Sequence, residues 1–371
     1  MPLGKSGDDR MFWDAKRVLI TGHTGFKGSW LSILLRKFGA EVIGYALDPK
    51  NSADNFVVCG LSNKITDIRG NICDYNKLEK VFAEYRPELV FHLAAQPLVL
   101  ASYKDIRGTY ETNVMGTLNV LECIKACPET KAAVIVTTDK CYENNEQILS
   151  ARGYRETDRL GGYDPYSSSK ACAEILVSSY RNSFFSLSEK AIATARAGNV
   201  IGGGDWSADR IVPDCINSFM NDGKIEIRNP HATRPWQHVI EPLYGYMMLA
   251  QQLYCKGAEY SEAWNFGPDA AGVTNVWELA SLLLSELGSG SLIDKSSKSA
   301  VHEANFLSLD ITKVSSRLGW YPSLSIGQAV KMTADWYKQY YKASELESEI
   351  FRLCEVQIDF YLKRLRGIAN E

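Results

Sequence analysis

Short, nearly continuous apolar runs alternate with helical patterns through the first half of the chain. Arg17–Thr21 (RVLIT), Glu41–Ala46 (EVIGYA), 89–93 (LVFHL), 132–137 (AAVIVT) and Ala191–Ala197 (AIATARA) place apolar or small side chains on consecutive positions. That is the pattern of strands buried on both faces rather than one. Helical stretches fall between them over 29–38, 110–126 and 166–181. Buried strands separated by helices predict a parallel sheet covered on both sides, a doubly wound α/β fold. Beyond about residue 199 glycines, prolines and short segments dominate up to 234. Helices return near 242–254 and Val276–Leu287, and the last third is helical, with aromatic residues crowded into 334–341. No repeat, low-complexity tract or Pro/Ser-rich linker marks a boundary, so a smaller domain interwoven with the first is expected.

Thr21-Gly22-His23-Thr24-Gly25-Phe26-Lys27-Gly28 follows the first strand and leads into a helix. Glycines there permit a tight turn, close approach to a pyrophosphate and close helix–strand packing. The helix start adds unpaired N–H groups and a positive dipole end. A glycine triplet alone is weak evidence, since many turns use it. Asp48, 20 residues after Gly28 at the end of the second strand, strengthens it. A carboxylate there can bind both ribose hydroxyls and repels a 2′-phosphate, which favours NAD over NADP.

The GxxGxxG spacing resembles the short-chain dehydrogenase/reductase superfamily, and later motifs agree with it. The resemblance implies a Rossmann-type NAD site formed by Thr21, Gly22, Thr24, Gly25, Phe26, Gly28 and Asp48. It also implies contacts from Leu93, Ala94 and Ala95 after the fourth strand, and from Asn71 and Ile72 beside the adenine. Asn71 departs from the usual Asp. On this reading residues 11–199, with return segments near 236–267, form the NAD-binding domain. Residues 200–235 and 268–343 form the smaller sugar-nucleotide domain, and 344–371 a C-terminal helix.

Tyr166 and Lys170 lie four residues apart, on one face of a helix. A nearby ammonium, aided by a positive nicotinamide ring, favours the phenolate. Lowering a tyrosine pKa by roughly three units takes about 4 kcal/mol. The phenolate can then remove a hydroxyl proton as the carbon gives up hydride. Such a pair is common by chance on amphipathic helices, so context matters. Thr138 lies just past the fifth strand, where the superfamily keeps a Ser or Thr bonded to the reacting oxygen. Plain dehydrogenation needs no further acid or base, whereas losing water across C5 and C6 of a hexose needs both. Asp139 and Lys140 stand where the better-known nucleotide-sugar dehydratases carry Asp-Glu.

Several longer strings are more specific. His23–Trp30 (HTGFKGSW), Asp139–Tyr142 (DKCY), Gly161–Tyr166 (GGYDPY), Arg196–Trp206 (RAGNVIGGGDW) and Arg234–Val239 (RPWQHV) together closely resemble the CDP-glucose 4,6-dehydratases, a family of extended short-chain dehydrogenase/reductases. The likeness runs from about residue 17 to 321. It implies CDP-glucose as substrate and a place in deoxysugar and lipopolysaccharide O-antigen synthesis. It makes Asp139 the general acid at the C6 oxygen and sets Lys140 where relatives keep a base. A lysine needs desolvation or nearby positive charge to act as one. Helices 110–126 and 166–181 resemble the pair through which extended members dimerise, so a homodimer or homotetramer is expected.

Composition narrows the partners. The 371-residue chain is 45% hydrophobic and 23% charged, with net charge −3 and no Lys/Arg-rich tract. Nucleic acid and anionic membranes are not expected partners, and a diphosphate substrate needs a local basic pocket. Arg210, Arg228 and Arg234 are candidates for it, with Gln96 and Asn199 for phosphate or sugar hydroxyls. For any one of these arginines a surface salt bridge is the competing reading. His92 and His238 read as packing or hydrogen-bonding residues, and His23 as touching substrate or nothing. Trp236, Trp264 and the aromatics of 334–341 read as core. The nine scattered cysteines include no CxxC pair, so no metal, no disulfide framework and a reducing cytoplasm are expected. Residues 1–10 lack the apolar core of a secretory signal, and no apolar run reaches the roughly 18 residues of a membrane span. Two rivals stay open: a nucleotide-sugar 4-epimerase, which needs no Asp139, and a non-catalytic NAD-binding protein, which needs no Tyr166–Lys170 pair.

Overall fold

The computed structural model describes residues 8–144, 152–186, 188–208, 210–227, 229–269, 273–288, 290–296 and 308–367. Its centre is a seven-stranded sheet of β1 (Arg17–Thr21), β2 (Glu41–Ala46), β3 (Thr66–Arg69), β4 (Leu89–His92), β5 (Ala132–Val136), β6 (Ala191–Ala197) and β7 (Ala263–Phe266). The order is β7-β6-β5-β4-β1-β2-β3, and every neighbouring pair is parallel. This is the doubly wound Rossmann-type fold expected from the apolar runs.

Two helical layers explain why the strands are apolar on both sides. Val18 and Ile20 of β1 join the core built with Trp30, Leu31 and Leu34 of α1 (Phe26–Lys37). Leu19 joins the opposite core, with Leu78 and Phe82 of α2 (Tyr75–Tyr85), Val120 and Ile124 of α3 (Gly116–Ala126) and Val177 of α4 (Pro165–Tyr180). A one-residue slip of β1 would exchange the two sets, so both layers fix its register. On the α1 side the sheet is also covered by α6 (Ile240–Lys256), buried at every position from Ile240 to Leu253. A helix buried all round needs cover on its far side as well, and Tyr361 of α9 (Leu346–Leu365) packs edge-on against its Tyr244.

Several elements were not anticipated. β3 is an edge strand of sequence TDIR, mostly half-buried, so it lacks the apolar signature of the central strands. β7 is short and carries Asn265 inward. The glycine- and proline-rich stretch holds a regular helix, α5 (Ile211–Asp222), with Pro213 in its first turn, where no backbone donor is lost. Around it lie three small strand pairs. Val200–Ile201 pairs with Gln237–His238, Lys224–Ile227 with Ser291–Asp294, and Thr233–Pro235 with Val273–Asn275. The last of these leads into α7 (Val276–Leu287), started by an Asn275/Glu278 capping box. The penultimate helix, α8 (Ile326–Lys342), opens with a similar box from Ser325 and Gln328.

Candidate active site

Strand order reverses between β1 and β4, and a crevice at the carboxyl ends of strands is expected at such a switch point. A cavity of about 1650 Å³ opens there, lined from one side by the glycine turn and the ends of β4 and β5. Val212, Ile225, Arg234 and Trp236 line it from the other. Pockets for a single drug-sized ligand run to about 1,000 Å³, so this cavity is larger than one such ligand needs.

The glycine turn is built for close approach. Gly22 adopts φ +79°, and a Cβ on it would lie 2.7 Å from the Ala94 nitrogen. A Cβ on Gly28 would lie 2.2 Å from the Gly22 carbonyl oxygen, so α1 can pack this close only without a side chain. No side chain caps α1, which leaves its first-turn amides for a ligand. Thr24, Gly25, Phe26, Asp48, Asn71, Ile72, Leu93, Ala94 and Ala95 all line the cavity. The Asp48 carboxylate is 85% exposed, 3.4 Å from Arg69 Nε. Asn71 accepts from the Cys73 amide at 2.9 Å.

Two of the expected contacts are not brought to the cavity. Thr21 does not line the cavity; its hydroxyl bonds His92 Nδ1 at 2.7 Å and accepts from the Ala94 amide at 3.3 Å, so it braces the loop from below. Gln96 does not line it either. Its Nε2 donates to Thr109 and its Oε1 accepts from the Leu98 amide at 2.7 Å, so both ends are spent on the loop. His23 lies wholly buried under Gly44, bonded to Asp67 at 2.8 Å, and contributes to packing. Burial holds its imidazole below the usual range against the opposing pull of Asp67. His92 and His238 are buried and neutral, both pushed down to about 3 by burial.

Tyr166 is set by the start of α4. Asp164 caps that helix by accepting from the Ser167 amide at 3.0 Å and its hydroxyl at 2.6 Å, and Pro165 fixes the first-turn φ. The phenol, 7% exposed, lines the cavity and hydrogen-bonds with Thr138. Lys170 donates to the Val136 carbonyl at 3.2 Å. Thr138 also donates to Asp139 Oδ1 at 3.0 Å. Asp139 Oδ2 is buried and has no partner among the described residues. It stands against Gly198, where an added Cβ would come within 3.2 Å. A buried carboxylate oxygen left unbonded is costly, so this one is placed to meet a ligand. Lys140 is half-buried on the cavity wall.

The electrostatics depart from the expected direction. Burial pushes the Tyr166 phenol up to about 12, and Asp139 and Asp164 add to this against Thr138 and Arg210. Burial also lowers Lys170 to about 8, opposed by Glu174. The protein's own groups therefore keep the phenol protonated, and lowering it falls to the charge of a bound ligand.

Glu174 was missed in the sequence. It lies four residues beyond Lys170 on the same face of α4 and pairs with Arg196 of β6 at 2.7 Å, both nearly dry. Thr137 and Thr194 donate to the same carboxylate. Arg196 goes on to Tyr142, and Tyr142 to Asn265, at 2.8 and 2.7 Å. Only Arg and Glu at a strand–helix contact could have signalled this network, and that contact is long-range.

On the other wall Arg210 pairs with Asp205 at 2.9 Å and Arg234 donates to the Thr233 carbonyl at 3.0 Å; both line the cavity, as does Asn199. Arg228 lies outside the described residues. Lys27, in the glycine turn, also lines the cavity and had been given no role. Among the described residues no group of three or more His, Cys, Asp or Glu could hold a metal, and no helix is long and apolar enough to cross a membrane.

Residues 19–333 match the family described as GDP-mannose 4,6 dehydratase. The chain belongs to that family. One curated relative is the CDP-glucose 4,6-dehydratase of Salmonella typhimurium, 45% identical over 91% of this chain and 95% of the relative. Among solved structures, a dTDP-glucose 4,6-dehydratase from Bacillus anthracis in complex with NAD superposes with TM-score 0.72 at 22% identity, covering 91% of this chain and 100% of that one. A UDP-glucose 4-epimerase from Thermotoga maritima with UDP-glucose gives 0.73 at 23%, covering 87% and 99%. Both share with this member of the GDP-mannose 4,6 dehydratase family the extended fold.

Proposed function

We propose that the protein is an NAD-dependent lyase converting CDP-glucose to CDP-4-keto-6-deoxyglucose. The observation that carries this over an epimerase is Asp139, which lines the same cavity as Tyr166 and keeps a buried Oδ2 without a hydrogen-bond partner among the described residues. Exchange of hydride at C4 has no use for that acid. The 45% identical relative named CDP-glucose 4,6-dehydratase supports the substrate.

The glycine turn fits NAD, because Gly22 and Gly28 let it fold tightly against the end of β4 and the start of α1, whose first-turn amides have no side-chain cap and are left for a diphosphate. Thr24, Gly25, Phe26 and Gly28 would hold that diphosphate, Asp48 the ribose, Asn71 and Ile72 the adenine side, and Leu93, Ala94 and Ala95 the nicotinamide half. Bound NAD supplies a hydride acceptor at C4 and a hydride donor at C6. Tyr166 takes the proton of the C4 hydroxyl while Thr138 holds that oxygen and Lys170 keeps positive charge beneath the pair. The resulting ketone acidifies C5–H. Asp139 would give a proton to the C6 hydroxyl, which leaves as water, while the C5 proton passes to a base for which Lys140 is the candidate by position; a proton returned to C5 as hydride reaches C6 completes the 4-keto-6-deoxy product. Asn199 faces the sugar, and Arg210 and Arg234 the substrate diphosphate.

Exposed Ile106 and Met115 on 106–126, Ile175 on α4 and Phe184 just past its end support a homodimer through these outer faces. Nine free thiols suit the cytoplasm, and the product would enter deoxysugar biosynthesis. The test is incubation with CDP-, dTDP-, UDP- and GDP-hexoses, read by mass. A CDP-sugar lighter by one water is expected. A product of unchanged mass and inverted C4 would favour the epimerase and overturn this reading.

A further inference from the structure

The string RAGNVIGGGDW over 196–206 ends in a segment, 203–206, that the proposed chemistry leaves without a part. Its contacts clamp it from three sides. Gly203 accepts from the Trp30 indole of α1 at 2.9 Å, and a Cβ on it would lie 1.9 Å from Cγ of Trp336 in α8. Gly204 turns with φ +78° and accepts from the Asn55 amide at 3.4 Å. Trp206 donates to the Ala53 carbonyl at 2.7 Å, and its ring packs on Tyr337 and Tyr340 of α8. Asp205 sits between these clamps, buried, with its carbonyl accepting from the Tyr337 hydroxyl at 2.5 Å. Its carboxylate holds two donors: Oδ1 accepts from the Ser207 amide at 3.1 Å and Oδ2 from Arg210 Nη1 at 2.9 Å.

We propose that Asp205 is a positioning residue, which aims Arg210 at the diphosphate of the sugar nucleotide from an anchor on the cofactor side of the cavity. The inference rests on the reading of Arg210 as a substrate contact. Arg210 stands just before the first residue of α5, where its long side chain has many rotamers. Freezing such a chain costs entropy that a ligand must otherwise overcome. Asp205 applies the restraint beforehand. It engages one nitrogen of the guanidinium, and the planar fork keeps other donors for a phosphate. A restraint of this kind works only if its own base is rigid, and the clamps on 203–206 make it so. Ala53 belongs to the loop that follows β2, and Asp48, Asn51 and Asp54 of that loop line the cavity. Trp206 therefore ties Asp205 to the wall that carries Asp48, while Arg210 faces the other ligand. The competing role for Asp205 is plain neutralisation of Arg210, and it predicts the opposite sign. A carboxylate near the diphosphate repels it, so if neutralisation were all, removing the charge would tighten binding.

The test is calorimetric titration of the full-length protein, saturated with NAD, with CDP in a double-variant cycle. Arg210→Met alone should weaken CDP at least ~10-fold, as for loss of a charge-assisted contact. Asp205→Asn should weaken CDP about tenfold while Arg210 is present, because a neutral amide holds the guanidinium less firmly. In the Arg210→Met background the same change should cost less than about twofold, since nothing is left to aim. Should Asp205→Asn not fold, Trp206→Phe carries the cycle instead. It loses the indole donor to Ala53 and keeps a ring against α8, and it should weaken CDP about threefold with Arg210 and leave it unchanged without. Unchanged or tighter CDP binding in Asp205→Asn would reduce the carboxylate to a neutralising charge and overturn the proposal. An equal loss with and without Arg210 would make its role structural and overturn it too. If Arg210→Met itself leaves CDP unchanged, the reading of Arg210 as a substrate contact fails and takes the proposal with it. Loss of water from CDP-glucose is read separately, so failure of the dehydratase reading leaves these binding arms unaffected.

Discussion

Removing Glu174 should cost both stability and the charge of Lys170. The carboxylate is 2% exposed, pairs with an Arg196 that is 4% exposed, and accepts from two threonine hydroxyls. Glu174→Ala leaves that guanidinium buried without its counter-charge, which costs about 3–5 kcal/mol. Unfolding entropy of about 2.1 cal/mol/K per residue gives roughly 0.8 kcal/mol/K for a chain of this size. The loss therefore appears as a fall of about 5 °C in Tm, measured by scanning calorimetry. The double variant Glu174→Ala/Arg196→Met removes the stranded charge as well and should recover part of the loss. A kinetic signature separates this from general loosening. Glu174 opposes the burial that lowers Lys170, so without it the ammonium loses its proton at lower pH. Since the charged form is needed, kcat/KM should fall more at pH 8 than at pH 6. A Tm within 1 °C of wild type, or equal loss of activity at both pH values, would refute the reasoning.

Other variants probe separate links. Gly28→Ala forces a Cβ against the Gly22 carbonyl, 2.2 Å away, and should weaken ADP-ribose more than about tenfold while sparing CDP. Asp48→Ser removes the carboxylate that repels a 2′-phosphate and releases Arg69 Nε, 3.4 Å from it; the NADP-to-NAD affinity ratio should rise about tenfold, and an unchanged ratio would remove Asp48 from cofactor choice. Asp139→Asn should cut water loss by about 10²–10⁴-fold yet still let NAD be reduced at C4, seen as NADH absorbance that builds and persists. Glu241, on α6, is buried and accepts from the Ser323 and Leu324 amides at 2.5 and 2.9 Å; burial raises its carboxyl to about 7. Its protonated form is favoured by the fold, so wild-type stability should decline as pH rises from about 4.5 to 7 and level off above, by roughly 3 kcal/mol. Glu241→Gln should flatten that decline in denaturant titrations.

What could be read in advance follows from how local each signal is. β1, β4, β5 and β6 announce themselves because burial on both faces leaves no room for polar alternation, and the glycine turn because Gly28 answers to a collision with Gly22 in the same short motif. β3 escapes because an edge strand with one wet side can carry Thr66 and Asp67. Thr21 and Gln96 show the complementary failure. Each belongs to a segment correctly placed at the sheet's carboxyl edge, yet one side chain turns down to His92 and the other sideways to Thr109. Proximity to a ligand is a property of a segment, and contact is a property of a rotamer. The same distinction governs the tyrosine. Spacing puts Tyr166 and Lys170 on one helix face, but whether the phenol ionises depends on burial, on Asp139 and on Arg210, groups drawn from distant parts of the chain. Desolvation raises the phenol and lowers the ammonium, two shifts that both disfavour a standing phenolate–ammonium pair. The site is thus arranged to acquire its base only when a ligand's positive charge enters, which couples activation of Tyr166 to occupancy of the same cavity that the glycine turn and Lys27 open on.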